Sequence, residues 1–157
     1  MKNKKEKRFT LTPAEYERLV QKIVDTCSNQ PNLEKHGCGA RNKILGWSGQ
    51  KHQIDVSFRY KDTQKFLLIE CKQCSRRIAI DDVILFHGRI TDIGLKEGQT
   101  PAGMMCAAKG YTKGAEKYAK AYDIRLAEVR DDAEFTIPYP KVGNVTQLTI
   151  GERQHIG

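Results

Sequence analysis

A mixed α/β fold, with a central sheet of four to five strands flanked by helices in the order α-β-β-β-α-β-α-β, is the architecture this 157-residue sequence predicts. Three observations carry the prediction. Residues 53–60, QIDVSFRY, alternate apolar and polar, and residues 65–72, KFLLIECK, are apolar nearly throughout, with four turn-prone residues between them. Segments with apolar residues at helical spacing lie before and after this hairpin. Ala102 to Ala108 is a run of small and sulfur-bearing residues that fits a central strand crowded by helices on either side.

The length bounds the chain to one domain with a sizeable core, at 39% hydrophobic and 29% charged residues. It divides into a basic arm at 1–8, a folded domain at 9–130 and a C-terminal extension at 131–157. Lysines and arginines number 27 against 19 acids, a net charge of +8, which suits a polyanionic partner. No run of 18 apolar residues and no signal-peptide core is present, so a soluble, cytoplasmic chain without a membrane partner is expected. The cysteines are five, an odd number at irregular spacing, and read as reduced thiols. Cys71 and Cys74 form a C-x-x-C, but no second pair completes a four-ligand zinc site.

In residues 1–8, Lys2, Lys4, Lys5, Lys7 and Arg8 stand against Glu6 alone, with no apolar residue after Met1, so the arm is expected to be disordered. Lys4 and Lys5 either lie along a DNA backbone or belong to a solvated tail. A helix start follows: Thr12 as N-cap, Pro13 at the first helical position, Glu15 three residues after the cap, and Leu11 with Tyr16 as a hydrophobic staple. Tyr16, Leu19, Val20, Ile23 and Cys27 form its buried stripe, and Glu17 borders it. Residues 28–37 read as a loop and Cys38 to Trp47 as the first strand, with Gly46 and Gly49 around the single Trp leaving space for a phosphate backbone. His52 lies close enough to the hairpin to meet phosphate.

If Lys61 to Gln64 is the whole hairpin loop, Tyr60 pairs with Lys65 and the register places Asp55 opposite Glu70. Lys72 then projects from the same face, roughly 6.6 Å further along the strand. The opposite face collects Ile54, Val56, Phe58, Leu67, Ile69 and Cys71 as core. Two opposed carboxylates repel, so a cation belongs beside them. Oxygen ligands on a rigid hairpin suit magnesium. The alternative is a structural salt bridge from Asp55 to Arg59 or Lys72.

Ile78 to Leu95 reads as the second helix, with Asp81 or Asp82 near its start and Ile80, Val83, Ile84, His87 and Ile90 or Thr91 on a common face. The third helix runs from Thr112 to about Tyr122, burying Ala115, Tyr118, Ala119 and Tyr122, and Ile124 to Val129 closes the sheet. Beyond Asp131, an alternating run at Val145 to Ile150 reads as an added hairpin.

Asp55, Glu70 and Lys72 write D-(x)14-E-x-K, with the second acid ending an apolar run. That pattern resembles the PD-(D/E)XK nuclease superfamily. With EYERLV in the first helix, QIDV, LLIECKQ and GMMCAAKGYTKGAEKYAKAYDIRL, the wording is most similar to Mrr-like restriction endonucleases over about residues 12–130. Ile54 departs from the family's Pro or Gly before the first acid. The resemblance implies a restriction-endonuclease-like fold and metal-dependent hydrolysis of DNA. Asp55, Glu70 and the backbone carbonyl of Cys71 would hold Mg2+, with Mn2+ as a substitute. Lys72 would orient the attacking water or stabilise charge on phosphorus, and Glu17 would match the acid of the family's first helix that orients the metal site. Gln53 and Gln73 are candidates for fixing Lys72 or contacting phosphate, and Arg76 and Arg77 either position DNA or are surface charge. A homodimer is expected because one hydrolytic site cuts one strand, and whether a separate specificity protein supplies recognition is left open by the sequence. A structure-selective nuclease of the Holliday-junction-resolvase kind and a non-catalytic DNA-binding module are the competing readings.

Overall fold

The computed structural model describes residues 12–72, 76–107 and 109–127, and the backbone of 128, 135–137 and 148–150. Helix α1 (Pro13–Ser28) starts as its sequence dictates. The Thr12 hydroxyl accepts from the Glu15 amide at 3.2 Å and donates to the Glu15 carboxylate at 3.1 Å. Leu19, Ile23, Val24 and Cys27 form its buried stripe. Leu11, the expected staple partner, lies outside the described residues.

Strand β1 (Leu33–Cys38) follows α1 directly. This corrects the expectation of a loop at 28–37 and a first strand at 38–47. Only Leu33 of the strand is buried, so no apolar alternation marks it; it is an edge strand carrying charge, as edges exposed to other chains do. Residues 38–47 instead hold a turn and β2 (Lys43–Leu45), which pairs antiparallel with β3 (Lys51–Gln53) in a separate two-stranded ribbon.

The central sheet has the order β1-β4-β5-β6-β7, with β4 (Val56–Tyr60), β5 (Phe66–Lys72), β6 (Ala102–Ala107) and β7 (Ile124–Glu128). Strands β1, β4 and β5 are antiparallel neighbours, while β5, β6 and β7 run parallel. Helices α2 (Ile80–Glu97) and α3 (Lys113–Ala121) make the crossovers that parallel pairing requires. The β4–β5 register is the predicted one: Val56 faces Ile69, Arg59 faces Phe66, and the Tyr60 amide donates to the Lys65 carbonyl at 2.9 Å.

Two cores sandwich the sheet. One, under α1, joins Leu19, Ile23, Phe58, Leu67, Ile69 and Met104. The other, under α2 and α3, joins Phe66, Leu68, Val83, Phe86, Ile90 and Met105. Each such side chain contributes about 1.5–3 kcal/mol by leaving water. Strand β5 is therefore buried on both faces, and Ile54 belongs to the second core rather than beside Val56, because the chain bends at Asp55.

The buried stripe of α2 is Val83, Phe86, Ile90 and Ile93. Ile80 and Ile84, expected inside, are 38% and 44% exposed, since Phe86 and Ile90 are the side chains that fill the hollow over Gly103. On α3, Ala115 and Ala119 are buried as expected. Tyr122 is instead 54% exposed and stacks at 4.3 Å on His87, whose Nδ1 bonds the Tyr118 hydroxyl at 2.7 Å. Strand β8 (Phe135–Ile137) pairs antiparallel with β9 (Leu148–Ile150), the end of the run that reads as an added hairpin. Among the described residues no helix is long and apolar enough to cross a membrane.

Candidate active site

The site begins with the bend between β3 and β4. Backbone leaving a ladder needs partners for its amides and carbonyls, and here Asn42 supplies them. The buried Asn42 side chain donates to the Ile54 carbonyl and to the Ser57 hydroxyl, both at 2.9 Å, while its own carbonyl accepts from the Ile54 amide at 3.0 Å. The Gly39 amide donates to the Asp55 carbonyl at 2.9 Å. A bulge between Lys35 and Gly37 of β1 frees His36 to reach Ser57 with Nδ1 at 2.9 Å. This network fixes where Asp55 leaves the strand.

The paired ladder ends at Val56 and Ile69, so the Cys71 amide is taken by a side chain: Asp55 Oδ2 accepts from it at 2.8 Å. A charged acceptor makes this one of the stronger kinds of hydrogen bond. Asp55 also bears on Tyr16 of α1, whose phenol is held well above its ordinary value by burial first and the Asp55 charge second. Tyr16 therefore stays a proton donor beside that carboxylate.

Glu70 stands at the end of the apolar strand and is only 8% exposed. Burial, and then the Asp55 charge, push its carboxyl from near 4.5 up to about 7; Lys72 and Arg89 pull the other way. Arg89 of α2 donates to Glu70 Oε2 at 3.0 Å. Arg89 of α2 is thus a counter-ion to Glu70 that sequence reading did not identify. Arg59 is committed elsewhere, to the Gln64 carbonyl at 2.7 Å, to Glu97 at 3.4 Å and over the Phe66 ring at 3.8 Å.

Lys72 is half-buried at the end of β5, two residues beyond Glu70 on the same side. Cys71 turns its thiol into the first core, as expected, beside Cys106, so that its hydrogen bond to Cys106 and burial raise its pKa. Glu17 is exposed; its neighbour Tyr16 is the α1 residue that bears on Asp55. Gln53 is exposed at the end of β3, opposite Lys43. Arg76 is exposed and bonded to Asp82 at 3.2 Å, and Arg77 is exposed. Gln73, Lys4 and Lys5 lie outside the described residues.

Gly46 does not open space for phosphate. A Cβ there would overlap the Asp92 carboxylate, and that same carboxylate takes His52 Nε2 at 2.7 Å. Asn42, Arg89 and Asp92 carry no sequence signal of their own, because their partners lie 12, 19 and 40 residues away in the chain.

Among the described residues no group of three or more His, Cys, Asp or Glu side chains is arranged to hold a metal, and Cys74 of the C-x-x-C lies outside them. Asp55 and Glu70 offer two hard oxygen donors. A buried carboxyl that resists ionising beside a second carboxylate is a place where a cation relieves repulsion, and the donor set fits a hard divalent ion.

The Mrr_cat family model, described as restriction endonuclease, matches residues 10–131. No curated protein matches the sequence. Three solved structures share the fold. AF1548, a protein of unknown function, has a TM-score of 0.53 at 20% identity, covering 69% of this chain and 56% of its own. A repair endonuclease from Pyrococcus abyssi has 0.51 at 15%, covering 70% and 46%. EndoMS, solved in complex with double-stranded DNA, has 0.52 at 17%, covering 82% and 49%. The chain spans about half the length of these structures.

Proposed function

The chain belongs to the Mrr_cat restriction endonuclease family of the PD-(D/E)XK nucleases, and from that premise we propose that it is a Mg2+-dependent endodeoxyribonuclease with Asp55, Glu70 and Lys72 as its catalytic set. The observation that carries the reading is the closely set carboxylate pair at the end of β5, with Glu70 pushed toward neutrality and Lys72 on the same side. Asp55, Glu70 and the Cys71 carbonyl would hold the ion, for which Mn2+ would substitute. The chemistry such an ion would supply there is Lewis-acid activation of the attacking water and charge relief at the scissile phosphate.

The chain's own residues do the rest. The Cys71 amide fixes the Asp55 carboxylate in place before any ligand arrives. Lys72 orients the water or stabilises the charge that builds on phosphorus. Arg89 neutralises Glu70 in the resting protein and, released from it, becomes a second cation for phosphate. Glu17 of α1, exposed one residue after Tyr16, would orient the metal site by the family resemblance alone. Gln53, Gln73, Arg76, Arg77, Lys4 and Lys5 contact DNA, the partner that the net charge of +8 favours. The active unit is a homodimer, since one hydrolytic site cuts one strand.

Incubating the protein with plasmid, linear and branched DNA, each with Mg2+, Mn2+ or EDTA, tests the reading. Cleavage of plasmid and linear DNA with either metal and none in EDTA is expected. Cleavage confined to the branched substrate would instead favour a junction-selective nuclease, and binding without cleavage a non-catalytic module.

A further inference from the structure

The β2–β3 ribbon projects from the fold with one face covered and the other bare. Ile44 and His52, paired across it, turn inward: Ile44 is buried in the second core and His52 is bonded to Asp92. Their neighbours Lys43, Leu45, Lys51 and Gln53 are exposed on the opposite face. At the tip stands Trp47, the only tryptophan in the chain, 70% exposed. A side chain of that size left in water is unusual unless something covers it.

The tip is held firmly. Asp92 of α2 takes the Ser48 amide at 2.9 Å, the Ser48 hydroxyl at 2.7 Å and His52 at 2.7 Å, and its carbonyl takes the Trp47 amide at 2.9 Å. Gly49, at φ +87, closes the turn in the left-handed region, and the bare glycine at 46 lets the Asp92 carboxylate come in. The anchoring residue lies one helical turn beyond Arg89, the partner of Glu70, roughly 4.5 Å along the helix axis. Chain continuity is as short: Gln53 ends β3 and Asp55 follows two residues later.

The segment that carries the ribbon has charge of one sign, and the acid at its tip is Asp92 of α2, taken up by Ser48 and His52. Between Glu34 and Asp55 lie 20 residues with Lys35, Arg41, Lys43 and Lys51, two histidines and no acid. All four of those cations are exposed. A rigid, acid-free ribbon with an outward indole and flanking lysines matches nucleic acid, whose phosphates meet the lysines and whose bases offer flat faces to the indole. A protein partner of ordinary composition would ask for no such exclusion of acids.

We propose that the β2–β3 ribbon is the DNA-docking element of this nuclease, with Trp47 packing on a base and Lys43 and Lys51 holding the flanking phosphates. The proposal rests on the nuclease reading in that DNA is the ligand, but it concerns residues outside the catalytic set.

The test uses the full chain in EDTA, where cleavage does not interfere, and follows a labelled duplex with a single-stranded overhang, whose unpaired bases expose their faces, by anisotropy and Trp47 by its own fluorescence. Binding by anisotropy should move the indole emission in step. Trp47→Ala should weaken affinity about tenfold and Trp47→Phe much less. The double change Lys43→Gln, Lys51→Gln should lower the slope of log K on log salt by about two. Circular dichroism melts of the variants should match the wild type, since the side chains are exposed. If DNA binds and is cut with Mg2+ while the emission stays still and Trp47→Ala binds normally, the ribbon is not the docking element and the nuclease reading stands. If emission changes with protein concentration alone, the tip meets a second copy and the proposal falls. If DNA does not bind by either signal, both readings fall together.

Discussion

Arg89 meets Glu70 at 3.0 Å from a helix that follows β5 in sequence, so the buried acid of the site carries its counter-ion before any substrate is present. Glu70 is 10% exposed at the side chain and Arg89 29%, so water screens this pair less than a surface ion pair. The arrangement explains how two adjacent carboxylates are tolerated at the end of an apolar strand.

Removing that counter-ion tests it. Arg89→Gln should cost on the order of 1–3 kcal/mol at pH 8 in EDTA, because a buried charge loses its partner. At pH 5, where Glu70 is protonated, the cost should shrink. Urea unfolding at the two pH values gives the comparison, and equal losses at both would contradict the pairing.

The raised pKa of Glu70 fixes the sign of the pH dependence. Between about 4.5 and 7 the folded protein keeps a proton that the unfolded chain has released, so folding binds a proton. Metal-free stability should therefore be fullest below about 4.5 with respect to this group and fall as pH rises to 7, by on the order of 1–3 kcal/mol. Glu70→Gln should remove this slope, which denaturant titrations across the range would read.

If Lys72 acts on the water and the transition state as proposed, Lys72→Ala should abolish cleavage while leaving DNA affinity within a few fold. Plasmid relaxation and filter binding measured side by side decide it. Parallel loss of both would assign Lys72 to docking.

How much of this is legible in the sequence follows from the range of each interaction. The β4–β5 register is legible because a four-residue loop sets it locally, although the ladder stops at Val56 and Ile69 and the Asp55 carboxylate caps the Cys71 amide instead of continuing it. Helix α1 is legible from Thr12 and Pro13, whose effects are confined to one turn. Strand β1 is not, because an edge strand of LEKHGC is stabilised by its neighbour and has no apolar alternation to announce it. The phase of α2 misleads because Ile80, Ile84 and Leu85 are apolar yet exposed, and competing stripes fit the same residues. Arg89 and Asn42 are invisible because their partners, 19 and 12 residues away, are set by how α2 and the β2 turn cross the sheet.

The central claim, that Asp55 and Glu70 form a cation-binding pair, is met most directly by melting the wild type and Asp55→Asn in EDTA and in Mg2+. Without metal the substitution removes the charge that opposes Glu70 while an amide oxygen can still accept from Cys71, so Asp55→Asn should be more stable than the wild type, by up to about 1 kcal/mol. Mg2+ should raise the wild-type Tm through binding to the folded state and leave Asp55→Asn nearly unmoved. A wild type indifferent to Mg2+, together with an Asp55→Asn protein destabilised in EDTA, would contradict the account and make Asp55 a structural residue.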